Sequence, residues 1–116
     1  MDDDVKVLER IYDRFNARDI DAVLTALTDD VAWANGMDGG HVHGREAIRA
    51  YWTRQWAMVD PHVEPVGFSK GPQDEAIVEV HQVVHDLNGN LLLDQMVGHI
   101  FTIENGLIRR FDIRGA

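Results

Sequence analysis

Alternate residues of the run Ala76–Asp86 place Ile77, Glu79, His81, Val83 and His85 on one face of an extended chain and Val78, Val80, Gln82 and Val84 on the other. A carboxylate beside an imidazole is an elementary set for acid–base chemistry, because the carboxylate orients the ring that takes or gives the proton. His81 with Glu79 is therefore the candidate catalytic pair if their face meets a pocket. The three valines opposite also favour burial, so the alternative sends the pair to solvent or to a partner subunit. Asn35, at the end of the apolar run Val31–Asn35, is the third candidate. A buried amide left without partners costs about 1–3 kcal/mol, so on a pocket wall it would hold water or ligand. Its other reading is a cap on the turn at Gly36.

His41 and His43, in G-G-H-V-H-G, have the spacing of two ligands to one metal, but no third ligand follows in any recognisable pattern. No metal and no cofactor is expected. Gly36, Gly39, Gly40 and Gly44 instead suggest a flexible lid, with Asp38, His41 and His43 at a pocket mouth. Asp94 shares a strand face with Leu92, Met96, Gly98 and Ile100; it is a second acid if that face is concave and an exposed residue near a hairpin turn if not. His99 falls on the opposite face with Val97 and Phe101, which the same reading assigns to a dimer interface or the outer surface. Trp33, Tyr51, Trp52, Trp56 and Phe111 supply the aromatic walls of a pocket or core. Arg109 and Arg110 suit surface ion pairs, worth under about 1 kcal/mol each.

Positioning these groups falls to one domain over residues 1–116. The 20 acidic and 11 basic side chains give a net charge of −9, which disfavours nucleic acid and anionic membranes as partners. With no cysteine, disulfides and thiolate chemistry are excluded. Met1 is followed by three aspartates rather than a basic and apolar leader, and no apolar run reaches the roughly 18 residues of a span, so a soluble, cytoplasmic domain is expected.

Leu8, Ile11, Tyr12 and Phe15 recur at helical spacing and predict a first helix to about Ala17; Asp19 caps a short second one with a stripe of Ile20, Val23, Leu24 and Leu27. Ile48, Tyr51, Trp52, Gln55, Trp56 and Val59 predict a third, closed by Pro61. From Val63 the period changes to that of strands, over 63–68, 76–86, 91–103 and 107–113. Asn88-Gly89 and Asn105-Gly106 mark tight hairpin turns. The class is α+β, with three helices in the first half packed on one face of a curved antiparallel sheet.

The segments Y-D-R-F-N-A-R-D-I-D-A-V, D-D-V-A-W, H-G-R-E-A-I-R-A-Y-W and G-H-I-F-T-I-E-N-G-L-I-R-R-F-D-I resemble the nuclear transport factor 2-like superfamily, and within it the SnoaL-like family. The resemblance spans nearly the whole chain. It implies a cone-shaped sheet wrapped around the helices, an apolar pocket at the open end that takes a small oxygenated molecule, and a homodimer through the convex face. It leaves activity open between cofactor-free acid–base catalysis and plain ligand binding. In a gapless register, Ile11, Asn35 and Gly98 stand where steroid Δ-isomerases of this fold carry a tyrosine, a base and an aspartic acid, so that activity is not expected. Trp33 and Asn35 resemble the water-holding pair of limonene epoxide hydrolases. Glu79, His81 and Ile113 replace that family's Asp-Arg-Asp set, and Asp112 lies one residue off.

Overall fold

The computed structural model describes residues 2–36 and 38–114. Helices α1 (Asp2–Asn16) and α2 (Ile20–Leu24) precede strands β1 (Leu27–Ala34) and β2 (His41–His43), and helix α3 (Arg45–Trp56) precedes strands β3 (Val59–Lys70), β4 (Ala76–Asp86), β5 (Leu91–Glu104) and β6 (Leu107–Arg114). The class is α+β, with the helices on one face of a six-stranded sheet of order β2-β1-β6-β5-β4-β3.

Helix α1 turns Leu8, Ile11 and Tyr12 into the core, as its spacing predicts. It ends where Arg18 adopts a positive φ of 64° and Asp19 N–H bonds back to the Arg14 carbonyl at 2.9 Å. Asp19 then starts α2, its carboxylate accepting from Ala22 N–H at 3.3 Å. The two-residue turn at Asn105 and Gly106 has positive φ at both positions, 55° and 80°, which ordinary side chains resist and this pair tolerates.

Three elements differ from the sequence reading. Leu27 opens β1 rather than closing α2, and Asp29 and Asp30 lie in that strand beside a shift in its register. Pro61 lies inside β3 instead of ending α3, and β3 is an edge strand, which tolerates a residue with no N–H to donate. The sheet is antiparallel except where β1 runs parallel to β6, with Trp33 opposite Phe111. No hairpin joins these two strands, so turn geometry does not fix their direction; packing does, through rings stacked at 4.2 Å between centroids.

Asn16 ties the end of α1 to β3. Its side-chain amide donates to the Val63 carbonyl at 2.8 Å while its side-chain oxygen accepts from Val63 N–H at 3.0 Å. Replacing it with alanine leaves both main-chain groups of Val63 without these partners. Asn16→Ala is expected to lose about 1–3 kcal/mol in urea unfolding, and an unchanged midpoint would refute this anchoring role.

Candidate ligand-binding site

Between the helices and the sheet face they cover lies a cavity of about 90 Å³, walled by the aromatic rings of Trp33, Trp52, Phe101 and Phe111. Alternation explains the wall. On β5, Val97, His99 and Phe101 point inward and are buried; on β4, Val78 and Val80 do the same, with Gln82 following on that face. The edge-to-face contact of Trp33 with Trp52, 5.2 Å between centroids, closes the wall against α3. Gly36 and Ile113 stand at the mouth, Ile113 being 43% exposed.

One polar pair sits in this wall. The Tyr12 hydroxyl lies 2.7 Å from His99 Nδ1, and the two residues are only 4% and 7% exposed. A phenol is the better donor and an imidazole nitrogen the better acceptor, so the bond runs from Tyr12 to Nδ1 and places the ring proton on Nε2. Burial resists charge on both groups: it pushes the Tyr12 hydroxyl far above its ordinary value and brings His99 down from 6.5 to about 4. His99 is therefore neutral at physiological pH, a donor from Nε2 rather than a strong base. Among the described residues the cavity lining includes no carboxylate.

Of the aromatics named from the sequence, Trp33, Tyr51, Trp52 and Phe111 line the cavity. Trp56 packs behind them on Phe15 and Trp52 and carries the Arg18 guanidinium over its ring at 5.0 Å. It faces a second, wider cleft of about 250 Å³. The charges there are already committed, Arg18 to Asp60 and the Pro61 carbonyl, Asp86 to the N–H groups of its own hairpin turn.

Glu79 and His81 occupy the outer face of β4, not the pocket. His81 Nε2 lies 2.7 Å from Asp94 Oδ1, and Glu79 accepts from Arg114 at 3.2 Å, all in reach of solvent. Asp94 is thus also an outer-face residue, the exposed one of its two sequence readings, whereas His99 is an inner one, the reverse of its assignment to a dimer interface or the outer surface. Asn35 caps the loop: its side-chain oxygen accepts from Asp38 N–H at 2.9 Å while its main chain bonds to Gly39 and Gly40. The presumed lid contains β2, whose Val42 opposes Trp33, so His41 and His43 turn outward. His41 bonds Asp112 at 2.8 Å beside Arg110; partial burial works against ionisation of Asp112, but bonds from Arg110 and His41 outweigh it and hold its carboxyl below the usual range. Asp38 pairs with Arg54 on the surface, and Met37 lies outside the described residues. Among the described residues no three histidines or carboxylates are grouped to hold a metal.

Residues 8–111 match the model of the SnoaL-like domain. The chain belongs to the SnoaL-like family. Solved structures share its fold. A nuclear transport factor 2-like protein of unknown function from Burkholderia pseudomallei is 24% identical with a TM-score of 0.86, covering 100% of this chain and 92% of that one. TerC, co-crystallised with polyporic acid, is 21% identical with a TM-score of 0.85, over 98% and 92% of the two chains. A polyketide cyclase candidate from Xanthomonas campestris pv. campestris is 24% identical with a TM-score of 0.78, over 97% and 89%. No curated protein matches the chain. No helix among the described residues is long and apolar enough to cross a membrane.

The residues that sequence reasoning missed in this SnoaL-like domain, Tyr12 and His99, did leave a signal. His99 lies between Val97 and Phe101 on one face of its strand, an apolar stripe that should turn inward and carry the imidazole with it.

Holding His99 neutral has a consequence in acid. The unfolded ring takes a proton below pH 6.5 while the folded ring does not until about 4, so stability is whole above 6.5 and declines as pH falls through that window. The penalty reaches the order of 3 kcal/mol. Urea unfolding across this range should show the decline for the wild type and a smaller one for His99→Gln; parallel curves would contradict a buried neutral imidazole.

Proposed function

We propose that this SnoaL-like domain binds one small, flat, largely apolar molecule whose oxygen accepts a hydrogen bond from His99 Nε2. The observation that carries this reading is the buried Tyr12–His99 pair set among the apolar and aromatic side chains of the cavity wall. A few placed polar groups on an apolar lining are how ligand sites obtain orientation along with burial. The cavity is smaller than the roughly 150 Å³ void that takes up benzene in an engineered core. A ligand longer than one ring therefore extends beyond this volume.

Binding is favoured over acid–base turnover by the same site. His99, near 4, is a weak base at neutral pH, and the described lining offers no carboxylate to abstract a proton in its place. The neighbours described as polyketide cyclase candidates are consistent with an oxygenated cyclic ligand, without assigning the chemistry done on it. Pairing of two copies through the outer sheet face belongs to the same proposal. Met96, 42% exposed beside His81, gives that face part of its apolar area.

Naphthalene and 2-naphthol test the site, with binding read from the fluorescence of Trp33 and Trp52. The naphthol should bind the tighter of the two. His99→Phe keeps a ring in place and removes both nitrogens; it should weaken 2-naphthol about tenfold and leave naphthalene unchanged. Equal losses for both compounds, or no loss for either, would sink the assignment.

A further inference from the structure

Two glutamines line the same cavity. Gln55 comes from α3 and Gln82 from β4, and both are half-buried. Gln82 faces its cross-strand partner Gln95, whose side-chain nitrogen donates to Gln82 Oε1 at 3.3 Å. That bond occupies the oxygen of Gln82 and turns its NH₂ group away from Gln95. Among the described residues neither this NH₂ group nor any part of the Gln55 amide has a side-chain hydrogen bond. Both amides are only half-buried, so solvent can reach them. A ligand that displaces water there must replace the bonds or lose affinity.

The strand register gives the distance between this pair and the buried one. His99 stands opposite Val78, Val97 opposite Val80, and Gln95 opposite Gln82. Gln82 is thus four residues along β4 from the His99 level, on the same face, about 14 Å at the backbone. A gap of that order is matched more nearly by two fused rings with a hydrogen bond of about 2.9 Å at each end than by a single ring.

We propose that Gln82, oriented by Gln95 and supported by Gln55, is a second polar station that sets the ligand's length: the site selects a fused bicyclic molecule bearing an oxygen at each end. This rests on the reading of His99 as the first station. Gln82 donates to the far oxygen through its NH₂ group, and the Gln55 amide can accept the proton of a hydroxyl there or donate to a carbonyl. The Trp33 and Phe111 rings, stacked 4.2 Å apart at their centroids, lie in the cavity wall that the flat body of such a ligand covers.

The test compares 2-naphthol with naphthalene-2,6-diol, which adds one oxygen at the opposite end. Wild-type protein should bind the diol about tenfold more tightly, the gain expected of one further hydrogen bond. Gln82→Met keeps the length of the side chain and removes the amide; it should bring the diol down to the affinity that the same variant has for 2-naphthol, with its circular dichroism and urea midpoint reporting an intact fold. Equal binding of the two compounds to the wild type, or a diol advantage that survives Gln82→Met, overturns the second station while leaving the first. Failure of both compounds to bind overturns the two together.

Discussion

The hydrogen bond between Tyr12 and His99 joins residues 87 positions apart and brings α1 onto the middle of the sheet. Neither partner belongs in an apolar interior alone, since each would carry a buried polar group with nothing to meet it. Together they are tolerated, and the requirement that they meet has consequences through the whole sheet. With His99 turned inward, alternation sends Asp94, Met96 and Gly98 outward along β5. The antiparallel register then carries the choice to the next strand, because Glu79 pairs with Gly98 and His81 with Met96. The histidine and carboxylate that look catalytic in the sequence are on the outer face because a different histidine is on the inner one.

The elements were legible because their periods are clean. Leu8, Ile11, Tyr12 and Phe15 mark one helix face, Asp19 caps the next helix, and Asn-Gly pairs sit in two hairpin turns, with positive φ at Gly89 in one and at Asn105 and Gly106 in the other. The site was harder to read. Both faces of β4 carry apolar residues, Ile77 and Val83 on one and three valines on the other, so composition alone does not orient the strand. A one-residue change of phase exchanges the entire set. The glycine-rich loop misled for a related reason: short side chains suggest a flexible lid, yet three of its residues add a strand to the sheet edge and a fourth, Asp38, pairs with α3. What no local pattern records is the parallel pairing of β1 with β6, which depends on Trp33 meeting Phe111 from the far end of the chain.

The two faces of the sheet thus have different physics. Outside, histidines and carboxylates pair in reach of water, as His41 does with Asp112 and His81 with Asp94, where each pair adds little to stability. Inside, the uncharged Tyr12–His99 pair is buried among tryptophan and phenylalanine, where desolvation makes its direction and protonation definite. A donor fixed in that way can recognise an oxygen on a ligand without moving a charge. It is a site built for orientation.

The central claim is the state of the His99 ring, and its two nitrogen chemical shifts, followed by NMR through a pH titration, test it most directly. The account predicts an unprotonated Nδ1 and a protonated Nε2 that persist at pH 6.5 and change only near pH 4. A midpoint close to 6.5, or two nitrogens with averaged shifts, would mean that the ring is neither buried in its neutral form nor held by Tyr12, and the site as described would not exist.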